Sequence, residues 1–184
     1  VKIRISPLAF YQVNRTMAEI LYKKAAEYAY LTPDTVLLDL YCGAGTIGLS
    51  MADKVKEVIG AEIIPEAVEN AKTNAEINGI KNARFICADA AAAAETLEKE
   101  NLKPDVVILD PPRKGCSKEL IETVVKMNPD RVVYVSCDHA TLARDCAVFD
   151  SLGYKTTEAT PVDLFPRTSH VETVCLLESI NKKK

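Results

Sequence analysis

The sequence predicts a doubly wound α/β domain built on a mostly parallel sheet, and three observations carry that reading. Strand-like and helix-like segments alternate from end to end, five β–α units precede a terminal pair of strands, and a glycine-rich turn joins the first strand to its helix. The apolar (48%) and charged (27%) fractions are ordinary for a globular protein, and 184 residues make one domain with room for a substantial core.

Each element has a local cause. Met17, Ile20, Leu21, Ala25 and Tyr28 have helical spacing within residues 14–29, and Asn14 is placed to cap them. Val36-Leu37-Leu38-Asp39-Leu40 is the first strand, followed by the glycine turn and a helix from about Thr46. A second strand covers about 57–63; Pro65 opens the next helix, where its missing N–H costs nothing, and Asn78-Gly79 ends it. Residues 83–88 form a third strand, 90–101 a helix and 105–110 a fourth strand, which Pro111-Pro112 stops. Ser117 caps a helix running to Met127. The fifth strand ends at Cys137, and a helix then runs to about Leu152, where Gly153 closes it. The last two strands, about 154–162 and 171–178, are joined by a proline-containing loop.

Composition narrows the function. A formal charge of −3 gives no global basic field that would advertise a nucleic-acid partner. Local cations, at Arg113-Lys114, Arg144, Arg167 and Lys182-Lys183-Lys184, read as solvated surface. The six cysteines show no C-x-x-C pair and no zinc-like spacing, so no metal is expected. No signal peptide and no apolar stretch near 18 residues appear, so neither secretion nor a membrane span is expected. A cytoplasmic monomer with reduced thiols is the expectation. The chain starts at Val1 with residues that look like the inside of a protein, as an excised domain would.

The chemistry gathers where strands end, which in open α/β sheets is where ligands bind. Gly43, Gly45 and Gly48 form G-x-G-x-x-G between strand and helix, allowing a tight turn and close approach of backbone to ligand. Asp39 lies four residues before the first of them, a position hostile to a pyrophosphate but not to a cationic ligand. Glu62, 19 residues after Gly43, ends the second strand and suits a ribose diol held by both oxygens. Asp89 ends the third strand, Asp110 the fourth and Cys137 the fifth. A helix N-cap explains any one carboxylate, Asp89 above all, but not the whole row. If the last strand returns antiparallel, it begins at this same edge. His170 and Glu172 then share one face, and Glu172 enters a partly buried site beside a thiol, a setting that raises a carboxylate pKa and suits a proton acceptor. A salt bridge from Glu172 to Arg167 or Arg113 is the plainer alternative.

With these residues in place, the chain resembles the catalytic domain of the RNA uridine-5 (m5U) methyltransferase family, of the bacterial 23S rRNA (uracil-5-)-methyltransferase type. The resemblance covers essentially all of the chain. It rests on Ser6-Pro7-Leu8-Ala9-Phe10-Tyr11-Gln12-Val13-Asn14, Leu38-Asp39-Leu40-Tyr41-Cys42-Gly43, Asp110-Pro111-Pro112-Arg113-Lys114-Gly115, Tyr134-Val135-Ser136-Cys137-Asp138 and His170-Val171-Glu172-Thr173-Val174. It implies a class I S-adenosylmethionine-dependent methyltransferase fold: a Rossmann-like, seven-stranded, mostly parallel sheet whose antiparallel last strand lies between strands five and six. Residues 1–32 would form an N-terminal segment and helix, and 33–180 the core. By resemblance, Gln12, Tyr41, Gly43, Gly45, Glu62, Asp89 and Asp110 line or support the S-adenosylmethionine site. Cys137 is the nucleophile and Glu172 the base, while Asp110, Arg113 and His170 face an RNA substrate, ribosomal RNA rather than tRNA. The lean to ribosomal RNA rests on residues 161–166. Family members often carry Asn or Pro after Ser-Cys, where this chain has Asp138-His139.

The family places an OB-like RNA-binding domain, sometimes with an iron–sulfur cluster, ahead of the catalytic one. Neither falls within these residues, so the chain alone is expected to bind S-adenosylmethionine but methylate RNA poorly. Four rival readings share some of these features. An amino-group methyltransferase shares Asp-Pro-Pro but usually has an aromatic residue at the place of Arg113. A cytosine-5 RNA methyltransferase needs a cysteine inside the proline motif, and Cys116 falls four residues past Pro112. A thiol hydrolase using Cys137 with His139 or His170 leaves Glu62 and the glycine loop idle. A cofactor-binding module without turnover is the remaining one.

Overall fold

The structure is a computed structural model that describes residues 1–4, 14–168 and 170–182. The motif Ser6 to Val13, Gln12 included, lies outside the described residues. The elements in chain order are α1 (Arg15–Ala29), β1 (Val36–Leu40), α2 (Thr46–Ser50), β2 (Glu57–Glu62), α3 (Pro65–Ile77), β3 (Ala83–Cys87), α4 (Ala90–Lys99), β4 (Val106–Leu109), α5 (Lys118–Met127), β5 (Arg131–Ser136), α6 (His139–Ser151), β6 (Tyr154–Val162) and β7 (Glu172–Ser179), with short 3₁₀ turns at Ala52–Lys54 and Ile180–Lys182.

The seven strands stand in the order β3-β2-β1-β4-β5-β7-β6. All pairings are parallel except those of β7, which runs antiparallel to both β5 and β6. The expected fold is therefore the observed one. Strand order reverses between β1 and β4, which opens a crevice beyond their carboxyl ends.

The central strands are apolar on both faces because helices cover both. Period-two alternation then splits each strand between two cores. Leu38, Val107 and Val132 pack with α4, α5 and α6, around Leu97, Leu120, Val124 and Phe149. Leu37, Val106 and Val133 pack with α1 and α2, around Leu21, Tyr28 and Ile47. The outermost strand β6 is exposed along most of its length, carries Pro161 and has a register shift between Thr156 and Glu158. Those features keep an edge from pairing with another chain.

Most local causes hold. Asn14 accepts Met17 N–H at the start of α1, and Ser117 accepts Leu120 N–H at the start of α5. Several boundaries differ, α4 ending at Lys99 rather than Asn101 and β4 spanning Val106–Leu109 rather than 105–110. The helix after the glycine turn is one turn and a half and gives way to a 3₁₀ turn at Ala52–Lys54, with Met51 (φ −111°, ψ −4°) between them. β5 stops at Ser136, one residue before Cys137, and β7 begins at Glu172. His170 therefore precedes the strand and does not share a strand face with Glu172.

Candidate active site at the carboxyl edge of the sheet

The nucleophile candidate and the base candidate meet through strand register. Ser136 pairs with Thr173 in the antiparallel β5–β7 ladder, so the next residue outward on each strand is Cys137 on one and Glu172 on the other. Glu172 also pairs with Val162 of β6 and is 5% exposed, while Cys137 is partly exposed. Asp138 follows at once and caps α6, accepting N–H bonds from Ala140 at 3.1 Å and Thr141 at 2.9 Å. The helix behind the thiol thus starts on a carboxylate cap.

The charges around this pair shape it. Burial raises the Cys137 thiol above its ordinary value, Glu172 and Asp110 push the same way, and Arg113 opposes them. Burial likewise raises Glu172, with Arg113 opposing. Asp110, just past β4, is pushed up to about 8 by desolvation and by the nearby charges of Glu172 and Asp39. Asp39, 1% exposed, is pushed up to about 7, burial again leading, although its bond from Gly48 acts against the shift. The site thus concentrates carboxylates in a poorly hydrated place, which favours a positively charged ligand. Arg113 forms no ion pair within 4 Å of Glu172 among the described residues. Its Nη2 lies against the exposed His170 ring, 3.3 Å from Nε2.

On the other side of the crevice, left-handed backbone and a tie to β2 shape the glycine turn. Tyr41 (φ 69°), Gly43 (φ 54°) and Gly45 (φ 80°) take left-handed backbone, and Cys42 N–H reaches Ala61 O at 2.9 Å, tying the turn to β2. Glu62 holds it from beneath: Oε2 accepts Gly43 N–H at 3.0 Å and Oε1 accepts Ile64 N–H at 2.9 Å. Each oxygen thus already carries a backbone donor and keeps a second lone pair. Asp39 Oδ2 accepts Gly48 N–H at 2.9 Å, and among the described residues its buried Oδ1 has no hydrogen-bond partner. The α2 N-terminus, at Gly45, has no side-chain cap. Asp89 caps α4 through Ala91 N–H at 2.9 Å, so the structural reading of that residue holds beside any ligand role.

The structure thus brings Tyr41, Gly43, Gly45, Glu62, Asp89, Asp110, Cys137 and Glu172 to one sheet edge, with Arg113 and His170 flanking it. Arg144, read from sequence as solvated surface, is exposed and also bonds the carbonyls of Lys114 and Cys116. Its neighbour Asp145, which the sequence did not mark, is 1% exposed and grips the same loop. No helix among the described residues is long and apolar enough to cross a membrane.

The fold and this edge define the chain's class: a class I, Rossmann-like methyltransferase domain. Structures of low identity support the fold alone, among them a Geobacter metallireducens precorrin-6y C5,15-methyltransferase (TM-score 0.76, 13% identity, 96% of this chain and 94% of that one). The model of the tRNA (uracil-5-)-methyltransferase family matches residues 2–180, and the chain belongs to that family. It is 50% identical over 183 residues to an uncharacterized RNA methyltransferase of Clostridium tetani, covering 100% of this chain and 40% of that protein. A second, from Caldanaerobacter subterraneus subsp. tengcongensis, is 52% identical over 177 residues (96% and 39%). The Pyrococcus abyssi tRNA (uracil-54, C5)-methyltransferase, solved in complex with S-adenosyl-L-homocysteine, aligns with TM-score 0.80 and 34% identity over 95% of this chain and 41% of that one. The chain spans about two fifths of the length of these relatives.

Proposed function

We propose that this chain is the catalytic domain of an S-adenosylmethionine-dependent enzyme that methylates C5 of a uridine in RNA. The observation that carries the reading is the Ser136–Thr173 register, which sets a thiol and a buried carboxyl side by side at the edge that also holds the glycine turn.

The residues suit this cofactor. Its sulfur is cationic, and Asp39 and Asp110 are carboxyls held high by desolvation, which a positive charge relieves. The left-handed turn exposes backbone for close approach, and the remaining lone pairs of Glu62 suit a ribose diol. Tyr41, Gly43, Gly45, Glu62, Asp89 and Asp110 would hold it, with Gln12 proposed from the sequence motif. When bound, S-adenosylmethionine supplies an electrophilic methyl group.

Uracil C5 is too poor a nucleophile to take that methyl unaided. Cys137 sulfur adds to C6, forming a C–S bond and sending the ring electrons toward O4, which makes C5 enolate-like. After C5 has gained the methyl, Glu172 accepts the C5 proton. The electrons of that C–H bond reform the C5–C6 double bond and expel the Cys137 thiolate. A carboxyl with raised pKa beside the ring is suited to that task. Asp110, Arg113 and His170 flank the space where an unstacked base would sit.

The preferred substrate is ribosomal RNA, from the character of residues 161–166; tRNA is the second reading, favoured by the Pyrococcus abyssi relative. The test is adduct trapping with 5-fluorouridine RNA, using the intact protein, both RNA classes and Cys137→Ala. A covalent adduct that survives Cys137→Ala would refute the mechanism. For the chain alone we propose cofactor binding with little RNA turnover, because a net-negative domain attracts phosphate weakly. Robust methylation by this fragment would overturn that.

A further inference from the structure

The loop between β4 and α5 carries Arg113, and it is held almost entirely by one helix. Thr141 Oγ1 of α6 donates to Arg113 O at 3.0 Å, and Arg144 Nη2 donates to Lys114 O at 2.8 Å and Cys116 O at 3.4 Å. The centre of the arrangement is Asp145, whose Oδ2 accepts Cys116 N–H at 2.8 Å and the Tyr134 hydroxyl at 2.6 Å, while Oδ1 accepts Arg144 Nε at 2.8 Å. Gly115 (φ 73°) sits so close that a Cβ would stand 2.5 Å from Asp145 Oδ2. A buried carboxylate with three charge-assisted or hydroxyl donors is a strong, directional anchor.

α6 begins at His139, two residues after Cys137. The helix that follows the thiol therefore also fixes the loop bearing Arg113, a cation that acts on that thiol. We propose that Asp145 is a positioning residue: with Thr141 and Arg144 it locks the Arg113 loop to α6, and so sets Arg113 relative to Cys137. The proposal rests on the catalytic reading above and adds to it how the site is aligned. Arg113 is the lowering charge on both Cys137 and Glu172. The charged groups that act on Cys137 are Glu172 from β7, Asp110 from the end of β4 and Arg113 from the loop, while Asp138 and His139 follow it in sequence as the cap and first residue of α6. Loosening the loop removes the favourable one and leaves the carboxylates.

This predicts opposite signs for two causes. Neutralising Asp145 acting directly by charge would ease ionisation of Cys137; acting through Arg113 it hinders it. The experiment is iodoacetamide alkylation of Cys137 in the intact protein, read by peptide mass spectrometry across pH, with methylation kinetics alongside. Asp145→Asn is expected to slow Cys137 alkylation at pH 7 roughly three- to tenfold, the size of a half- to one-unit upward shift of the profile. It should also lower kcat roughly ten- to a hundredfold through misplacement of Arg113. Arg113→Ala should shift the profile the same way, and Asp145→Asn added to it should shift it no further.

Should Asp145→Asn fail to fold, Thr141→Val tests the same tie through Arg113 O, and Thr141→Ser should restore the native profile. A profile that stays put or moves down in folded Asp145→Asn or Thr141→Val overturns the proposal. So does an Asp145→Asn shift undiminished in the Arg113→Ala background. Absence of any 5-fluorouridine adduct in the native protein would instead sink the catalytic reading while leaving these alkylation shifts in place.

Discussion

Gly48 donates its backbone N–H to Asp39 at 2.9 Å, and a Cβ on Gly48 would stand 2.9 Å from that same carboxylate oxygen and 2.9 Å from Val58 Cγ1. The third glycine of the turn is thus set by the wall behind it. Gly48→Ala is expected to destabilise by about 1–3 kcal/mol through overpacking. It should also weaken S-adenosylmethionine binding, since α2 must move off Asp39. Thermal unfolding and calorimetric titration check both; native affinity with native stability would show that the contact yields freely.

Glu172→Gln keeps the shape of the base and removes its ability to accept a proton. With ordinary uridine RNA the covalent Cys137 adduct should accumulate, and release should slow by about 10²–10⁴. Gel-resolved protein–RNA adduct over time measures this. Native release rates in Glu172→Gln would assign the proton to another group.

The unliganded domain should lose stability as pH rises. Asp39 and Asp110 have folded-state pKa values raised to about 7 and about 8. A raised acid binds its proton more tightly when folded, so its contribution is whole below the unfolded value near 4 and drains away as pH climbs through 7 to 8. Melting temperature between pH 5 and 8.5 should therefore fall, and Asp110→Asn should flatten the slope. S-adenosylmethionine should bind with proton release at neutral pH and S-adenosylhomocysteine with less, because only the former carries the sulfonium charge.

Phe149 of α6 is fully buried and meets the Tyr154 ring edge-on at 6.1 Å. Phe149→Ala should cost about 3–5 kcal/mol. Chemical denaturation checks it, and a loss below about 1 kcal/mol would mean that the helix collapses into the space.

Much of this was legible in the chain. Val36 to Leu40, Val106 to Leu109 and Arg131 to Ser136 are short apolar runs bounded by turn residues, and they are buried strands because both faces are covered. The edge residues follow from strand ends alone. What stayed hidden depends on distant partners. Asp145 lies among charged and polar residues of an amphipathic helix and reads as solvent-facing; its burial comes from Cys116, 29 residues back, and Tyr134, 11 back. His170 looked like a strand residue because it stands two before Glu172, but pairing with Val162 starts only at Glu172.

The insertion of β7 between β5 and β6 has a consequence for synthesis and assembly. Glycine turn, Asp39 and Glu62 all sit within the first half of the chain, whereas Cys137 acquires its neighbour only when residues 172–179 slide between two strands already made. A nascent chain can therefore carry the glycine turn and the Cys137 thiol before it carries Glu172, the base proposed above. Until that strand arrives, β5 and β6 present unpaired edges to each other across an open gap. The Cys137–Glu172 pairing is a late event in this fold, sealed by one antiparallel strand.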